Sequence, residues 1–413
     1  MNHFEQDWSP PNMKPIVIIG AGMAGISAAF ELKRLGIRKI LLIDKSEKGK
    51  EGPWLTSARM RHLRSGKTLL GPAIQFPEYS FEHFYKNTKG DAAWEELYKI
   101  PNEEWEEYIF WLRELLELEV LNQEYVEAIH LDGESLTVKT DKSKIDASKV
   151  IIATGRNGFG GPSFPEWINE IPRDKYIHTS EIYDVSRLKG KRVAVVGTGA
   201  SGLDAAGAAL EAGASQVDLM CRSKKINNVN KGISTAYSGY SLGYYYLSDA
   251  DKLAFTDAHT EGLSTPPFES ILRLKGYSNL KVHYECSIIP KDYDFVFFAT
   301  GFKVDVKEIP FLKGFDIDVW GNHMSEEEKK KYPFATNWPY LGESFQLTPY
   351  KDIHCFNHGA TLTHGNIAGD IPGIGIGANR LARGIAIEIF LKYKTLYYQN
   401  LLDYDVHEFE EQL

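Results

Sequence analysis

The stretch Ile16-Val17-Ile18-Ile19-Gly20-Ala21-Gly22-Met23-Ala24-Gly25 decides the fold. An apolar run of this kind reads as a strand, and the glycines after it open a helix of small residues. In such a turn one glycine makes the tight corner, one lets the backbone approach a pyrophosphate and one packs helix on strand. The helix N-terminus then faces the anion. The pattern recurs at Gly197-Thr198-Gly199-Ala200-Ser201-Gly202, again between an apolar strand and a small-residue helix. Laid on each other the copies need no gap, because Gly20 to Gly36 and Gly197 to Gly213 both span sixteen positions and both helices end at that shared glycine. One chain with two dinucleotide sites points to an electron-transfer enzyme.

A second strand follows each helix, Lys39 to Ile43 in the first copy and Gln216 to Met220 in the second. The residue closing it is placed to read the ribose. In the first copy this is Asp44, whose carboxylate suits the adenosine 2′- and 3′-hydroxyls of FAD or NAD. In the second it is Cys221, followed by Arg222, Ser223, Lys224 and Lys225, a cluster suited by charge to a 2′-phosphate, although a solvated basic turn reads the same way. The two sites are read as FAD first and NADPH second.

With 413 residues, 43% hydrophobic and 25% charged, the chain suits two or three globular domains. A net charge of −9 and the lack of a basic tract argue against nucleic acid as a partner. Met1 to Pro15 is polar and no run of about eighteen apolar residues occurs, so a cytoplasmic protein without a membrane segment is expected. Cys221, Cys286 and Cys355 lie far apart, which excludes a Cys-x-x-Cys redox pair and leaves zinc without a ligand cluster. His354, His358 and His364 have near-helical spacing, but the intervening glycines argue against one helix, and no metal is expected there.

Each nucleotide unit is answered downstream by a strand ending in Ala-Thr-Gly, at Ala153-Thr154-Gly155 and Ala299-Thr300-Gly301. With both loops, Gly52-Pro53-Trp54, His178-Thr179-Ser180-Glu181 and Gly369-Asp370-Ile371-Pro372-Gly373, these strands give most of the chain a specific likeness. It resembles the two-dinucleotide-binding flavoproteins, and within them the flavin-containing and N-hydroxylating monooxygenases. The resemblance implies an α/β fold of two Rossmann-like dinucleotide-binding domains, the NADPH domain inserted in the FAD domain. Residues 1–165 would begin the FAD domain, 166–300 form the NADPH domain, and 301–413 return to the FAD domain and the substrate pocket. Gly160 to Pro165 and the turn at Gly301 read as hinges.

By the same resemblance FAD falls to Gly20, Gly22, Ala24, Gly25, Asp44, Lys45, Trp54, Val126, Ala153, Thr154, Gly155, Asp370 and Ile371. Ser180, Gly197, Gly199, Ser201, Gly202, Arg222, Ser223, Lys224, Thr300 and Gly301 complete the cofactor set. The implied reaction is oxygenation of a small polar substrate at nitrogen or sulfur by O2, through a flavin C4a-hydroperoxide, with Asn366 on the substrate wall and with Arg64 and Lys67 either as electrostatic stabilisers or as cations that contact the FAD phosphate or sit on the surface. The flavin-containing monooxygenases carry an asparagine in the region after Gly52-Pro53-Trp54, and here none stands between Trp54 and Phe84. The Baeyer–Villiger fingerprint is matched at His178 but not at Pro172, Asp174 or Ile182. A Baeyer–Villiger reaction, and an NAD(P)H oxidase or reductase without oxygen insertion, stay open as alternatives, as does a homo-oligomer.

Two segments lie outside the common frame. Asn102 to Val120 reads as an amphipathic helix capped by Asn102, with Trp105, Tyr108, Ile109, Leu112, Leu115 and Leu116 on one stripe, as core or as a ligand wall. Lys225 to Gly276, rich in Gly, Ser and Tyr, reads as a long loop with short helices, either a cover over the site or packing between domains.

Overall fold

The computed structural model describes residues 7–69, 71–72, 76–260 and 265–407. Two parallel sheets carry the two loops. The first runs in the order Gln346–Leu347, Tyr350–Cys355, Lys149–Ile152, Ile16–Ile19, Ile40–Asp44, Val120–Asn122, and only its Gln346–Leu347 edge is antiparallel. The second runs Tyr176–His178, Phe295–Phe298, Arg192–Val196, Gln216–Met220, Leu280–His283 and is parallel throughout. In both, the strand entering the glycine loop lies between its following strand and an Ala-Thr-Gly strand. Ile16–Ile19, Lys149–Ile152 and Phe295–Phe298 are buried along their whole length, and Arg192–Val196 at its three middle residues, as expected of parallel strands covered on both faces.

The apolar cores divide the chain. The first gathers residues from Met13 to Phe159 and again from Val304 to Ile389, whereas the second draws only on Ile177 to Phe297. The second unit is therefore inserted into the first. Its two crossings run side by side: the Ser163 N–H donates to the Gly301 carbonyl at 2.9 Å and the Lys303 N–H to the Gly161 carbonyl at 3.1 Å. Gly160 makes this possible. Its φ is +121°, and a β-carbon there would lie 2.6 Å from both the Asp305 nitrogen and the Lys303 oxygen. Gly160→Ala is accordingly expected to destabilise the protein by about 2–3 kcal/mol, read by urea unfolding. An unchanged midpoint would mean that the crossing yields without strain.

The helix expected from Asn102 ends at Leu115, because the chain turns at Glu117 with a φ of +48°. Asn102 is its first residue rather than its cap; the cap position is Pro101, and the Asn102 amide donates to the Met60 carbonyl. Trp105, Tyr108, Ile109, Leu112 and Leu116 are buried, but Leu115 is 46% exposed and leaves the stripe. Lys225 to Gly276 is mostly helical, with Ser238–Gly243, Asp249–Thr260 and Phe268–Leu274, although its residues 261–264 lie outside the described residues.

Candidate active site

The two loops repeat each other in geometry as well as in sequence. Gly20 and Gly197 have φ of +107° and +108°, and a β-carbon on either would meet the carbonyl oxygen of Ala153 or Ala299 at 2.5 Å. On Gly25 and Gly202 it would stand 1.9 and 2.1 Å from the Gly20 and Gly197 oxygens. These four glycines are dictated by the protein's own packing. Gly22 and Gly199 differ: they cap the helices Met23–Arg34 and Ala200–Glu211 with φ of −76°, a conformation open to any residue. A β-carbon on Gly22 would meet the Gly52 Cα and nitrogen, at 3.5 and 3.6 Å, both ordinary contacts. The chain's own packing therefore does not demand glycine here, and a side without a Cβ suits the close approach of a pyrophosphate. Ala24 and Ser201 occupy matching first-turn positions.

Around the first loop the chain leaves polar atoms without protein partners. The indole nitrogens of Trp54 and Trp105 are enclosed and unbonded, with ring centroids 6.4 Å apart. Asp44 accepts from the Ala21 and Ser46 N–H groups, both at 2.8 Å, and this fixes its carboxylate at the loop. Lys45 is exposed, and buried Val126 opens a strand two residues after Glu124, whose N–H donates to the Asp44 carbonyl. Thr154 accepts from the Asn357 amide at 3.2 Å. Gly155 and Gly301 are exposed left-handed turns with φ of +66° and +81°. The residues fit a dinucleotide: a helix terminus without an acidic side chain in its first turn, an open glycine and unsatisfied donors beside them.

At the second loop Cys221 is buried, taking the Thr198 hydroxyl where Asp44 takes the Ala21 N–H. Arg222, Ser223 and Lys224 are exposed beside it. Thr300 donates to the Ser163 carbonyl in the crossing, and Ser180 bonds the His178 ring at 2.7 Å. Burial holds His178 below the usual imidazole range, which keeps it neutral and suits it to packing against Phe302.

Between the units a third group converges. Asp370 caps the helix Ile371–Lys392, and Arg156 lies 3.4 Å from its carboxylate. Arg64 is within electrostatic reach of both, and its guanidinium donates to the Thr265 carbonyl at 2.6 Å; partial burial lowers its pKa. Asn366, in the turn before the helix, accepts from Ser241 at 3.3 Å. Tyr240 and His259 also feel Asp370. Burial pushes the Tyr240 phenol up and the His259 imidazole down, so both are neutral at pH 7. Lys67, expected beside Arg64, is elsewhere. Its ammonium caps Asp91–Glu96 through the Trp94 and Glu95 carbonyls and lies 4.8 Å from the Trp94 ring. Alternate residues of the strand His62–Gly66 point to opposite faces, and Lys67 follows it in the turn. Sequence reasoning missed Arg156, Tyr240, Ser241 and His259, which carry no motif and meet only through the fold.

Paired glycine loops on two parallel sheets, one unit inserted in the other, define a two-dinucleotide oxidoreductase fold. A family model described as pyridine nucleotide-disulphide oxidoreductase matches residues 17–332, and the chain belongs to that family. The FAD-dependent urate hydroxylase of Xanthomonas campestris pv. campestris is 30% identical over 98% of this chain and 94% of its own. Among solved structures, the ornithine hydroxylase of Pseudomonas aeruginosa superposes with a TM-score of 0.70 at 14% identity, covering 92% of this chain and 99% of that one. The ornithine N-hydroxylase of Kutzneria sp. 744, solved with reduced FAD, NADP+ and L-ornithine, gives 0.69 at 16% identity, covering 91% and 99%. These relatives and neighbours are flavin-dependent monooxygenases. No helix among the described residues is long and apolar enough to cross a membrane.

Proposed function

We propose that the protein is an NADPH-dependent FAD monooxygenase that oxygenates a small polar substrate at nitrogen. FAD takes the first loop with Asp44, Trp54, Thr154, Asp370 and Ile371, and NADPH the second with Arg222, Ser223 and Lys224. The domain limits 1–165, 166–300 and 301–413 belong to the same reading. The observation that carries it is the match of the two loops in φ, in crowding and in the strands beside them, with the charged group of Arg64, Arg156 and Asp370 beside it. When bound, the flavin supplies hydride acceptance and oxygen activation. The chain's task is to hold both nucleotides, exclude water and set charge. Arg64 offers positive charge beside the Asp370 helix terminus, while Asn366 and Ser241 form a hydrogen-bonding wall. A second reading, hydroxylation of a planar nitrogen heterocycle such as urate, is favoured by the relationship to the urate hydroxylase along nearly the whole chain.

The test is NADPH oxidation and O2 uptake with amines, amino acids, sulfides and urate, with products weighed for one added oxygen. Substrate-independent peroxide release across the whole panel would sink both readings in favour of an oxidase. Arg64→Ala is expected to lower kcat/KM about 10²-fold, whereas Lys67→Met lowers stability by about 1 kcal/mol and leaves turnover intact. Equal kinetic losses in both variants would contradict the separation of the two cations.

A further inference from the structure

We propose that the Glu106 carboxyl is a further contact for the nucleotide at the first loop, donating a hydrogen bond to an oxygen of its ribose–pyrophosphate; this rests on the reading that FAD occupies that loop. Glu106 is 5% exposed, and its enclosed Oε2 has no hydrogen-bond partner. It adjoins Trp105, whose N–H is equally unpartnered and whose ring meets that of Trp54. Two residues before Trp54, Gly52 touches the open side of Gly22. The orphaned atoms are thus linked to the first loop through Trp54 and Gly52, and Glu106 lies within the field of Asp44 at the loop.

Burial first, and then the charges around it, set the protonation of Glu106. Asp44, from the strand Ile40–Asp44, and Glu51 both repel a second anion there. The neighbouring cations are engaged: Arg113, on the same helix, bonds Glu51 and Asn122. Lys89 of the helix Phe81–Lys89 pairs with Glu104. On the helix Met23–Arg34, Arg34 pairs with Glu31, and Lys33 donates to the Leu116 carbonyl. Burial, then these like charges, push the carboxyl up to about 8, so at neutral pH it is an acid with a proton to donate. A ribose hydroxyl or phosphate oxygen supplies the acceptor. Asp44 takes hydrogen bonds from the same nucleotide, so donor and acceptor stand side by side.

The experiment removes FAD from the purified holoenzyme and measures FAD rebinding by flavin fluorescence from pH 6 to 9.5, for the parent, Glu106→Gln, Glu106→Ala and Asp44→Ala. If only the protonated form donates, the parent Kd rises about tenfold per pH unit above the folded pKa. Glutamine keeps a donor without titrating, so its Kd stays within about threefold of the parent at pH 7 and flat above. Alanine weakens binding about tenfold or more. A glutamine variant that still titrates as the parent does, or an alanine variant that binds as tightly, overturns the proposal. Should the alanine variant fail to fold, the glutamine profile decides. If Asp44→Ala also leaves the Kd unchanged, the reading of the first loop has failed instead.

The flavin-free protein gives a second readout. An acid whose folded pKa is raised takes up a proton on folding, so its contribution to stability falls from about pH 4.5 upward and is lost by about pH 8. Glu106→Gln removes that slope, and a slope unchanged in this variant counts against the proposal.

Discussion

Gly22→Ala is expected to fold as the parent does and lose its flavin, whereas Gly25→Ala loses both fold and flavin. The contrast follows from where each added methyl would go. On Gly25 it would stand 1.9 Å from the Gly20 carbonyl oxygen and 3.0 Å from its carbon. Both are backbone atoms of the turn that positions the helix, so the helix must leave the strand, at about 3–5 kcal/mol. On Gly22 the backbone already has an ordinary φ of −76°, and the methyl meets the Gly52 Cα and nitrogen at the ordinary distances of 3.5 and 3.6 Å. Stability without flavin should change by less than about 0.5 kcal/mol. The space it takes is the space through which a pyrophosphate would reach the helix N-terminus, and overpacking of about 1–3 kcal/mol there weakens FAD roughly tenfold to 10²-fold. Thermal unfolding of the flavin-free proteins and fluorescence titration with FAD separate the outcomes. Tight FAD binding by Gly22→Ala would remove the nucleotide from this loop.

The second large effect is expected from Arg273, which joins the inserted unit to the first. Its guanidinium bonds both Glu211 oxygens, at 2.8 and 2.7 Å, and donates to the Arg59 carbonyl at 2.6 Å; Asp204 stands at 3.8 Å. Glu211 also holds Arg61 at 2.7 Å. Arg59 reaches back to the Thr179 and Glu181 carbonyls at 2.8 and 3.1 Å and lies 4.9 Å from the Phe297 ring. Burial draws the Arg59 pKa down to about 10, so it remains charged at neutral pH. Gly207, on the helix of the second loop, leaves the room this arginine fills, since a β-carbon there would lie 2.6 Å from its Nε. Arg273→Ala leaves buried Asp204 with the Ser270 hydroxyl and Glu211 with Arg61 as their remaining partners, and a loss of about 2–3 kcal/mol is expected. It also frees the second loop's helix from the segment Ser57 to Arg61, so NADPH-driven flavin reduction should slow while dithionite reduction does not. Two separate unfolding transitions in calorimetry would accompany it. A single transition with an unchanged midpoint would show that the contact contributes little.

Much of the cofactor machinery was legible because its signals are local. Left-handed backbone at Gly20 and Gly197, and close packing at Gly25 and Gly202, demand glycine within a few residues of a strand, and sixteen-residue spacing repeats the demand. The charged group around Asp370 was not legible in the same way. Arg64 was singled out by sequence but Arg156, Tyr240 and His259, which share the field of Asp370 with it, were not, and Lys67 was placed with it although its ammonium caps another helix. Charge identifies a candidate but does not say which face of a turn it takes. Glu106 shows the same limit, since an acid in an amphipathic helix reads as solvent-facing until its neighbours are known.

By itself, then, the amino-acid sequence determined the two loops, their order, the strands that answer them and the contrast of Asp44 with Cys221, since each rests on backbone conformation or side-chain chemistry within a short span. The tertiary structure alone decided that Arg59 and Arg273 join the units, that Arg64 comes within electrostatic reach of Asp370 while Lys67 caps another helix, and that Glu106 is enclosed within reach of the Asp44 charge. Those facts depend on segments as much as three hundred positions apart, such as Arg64 and Asp370. The direction of a side chain and the charge it meets are set by packing between such segments, which leaves no periodic trace in the chain.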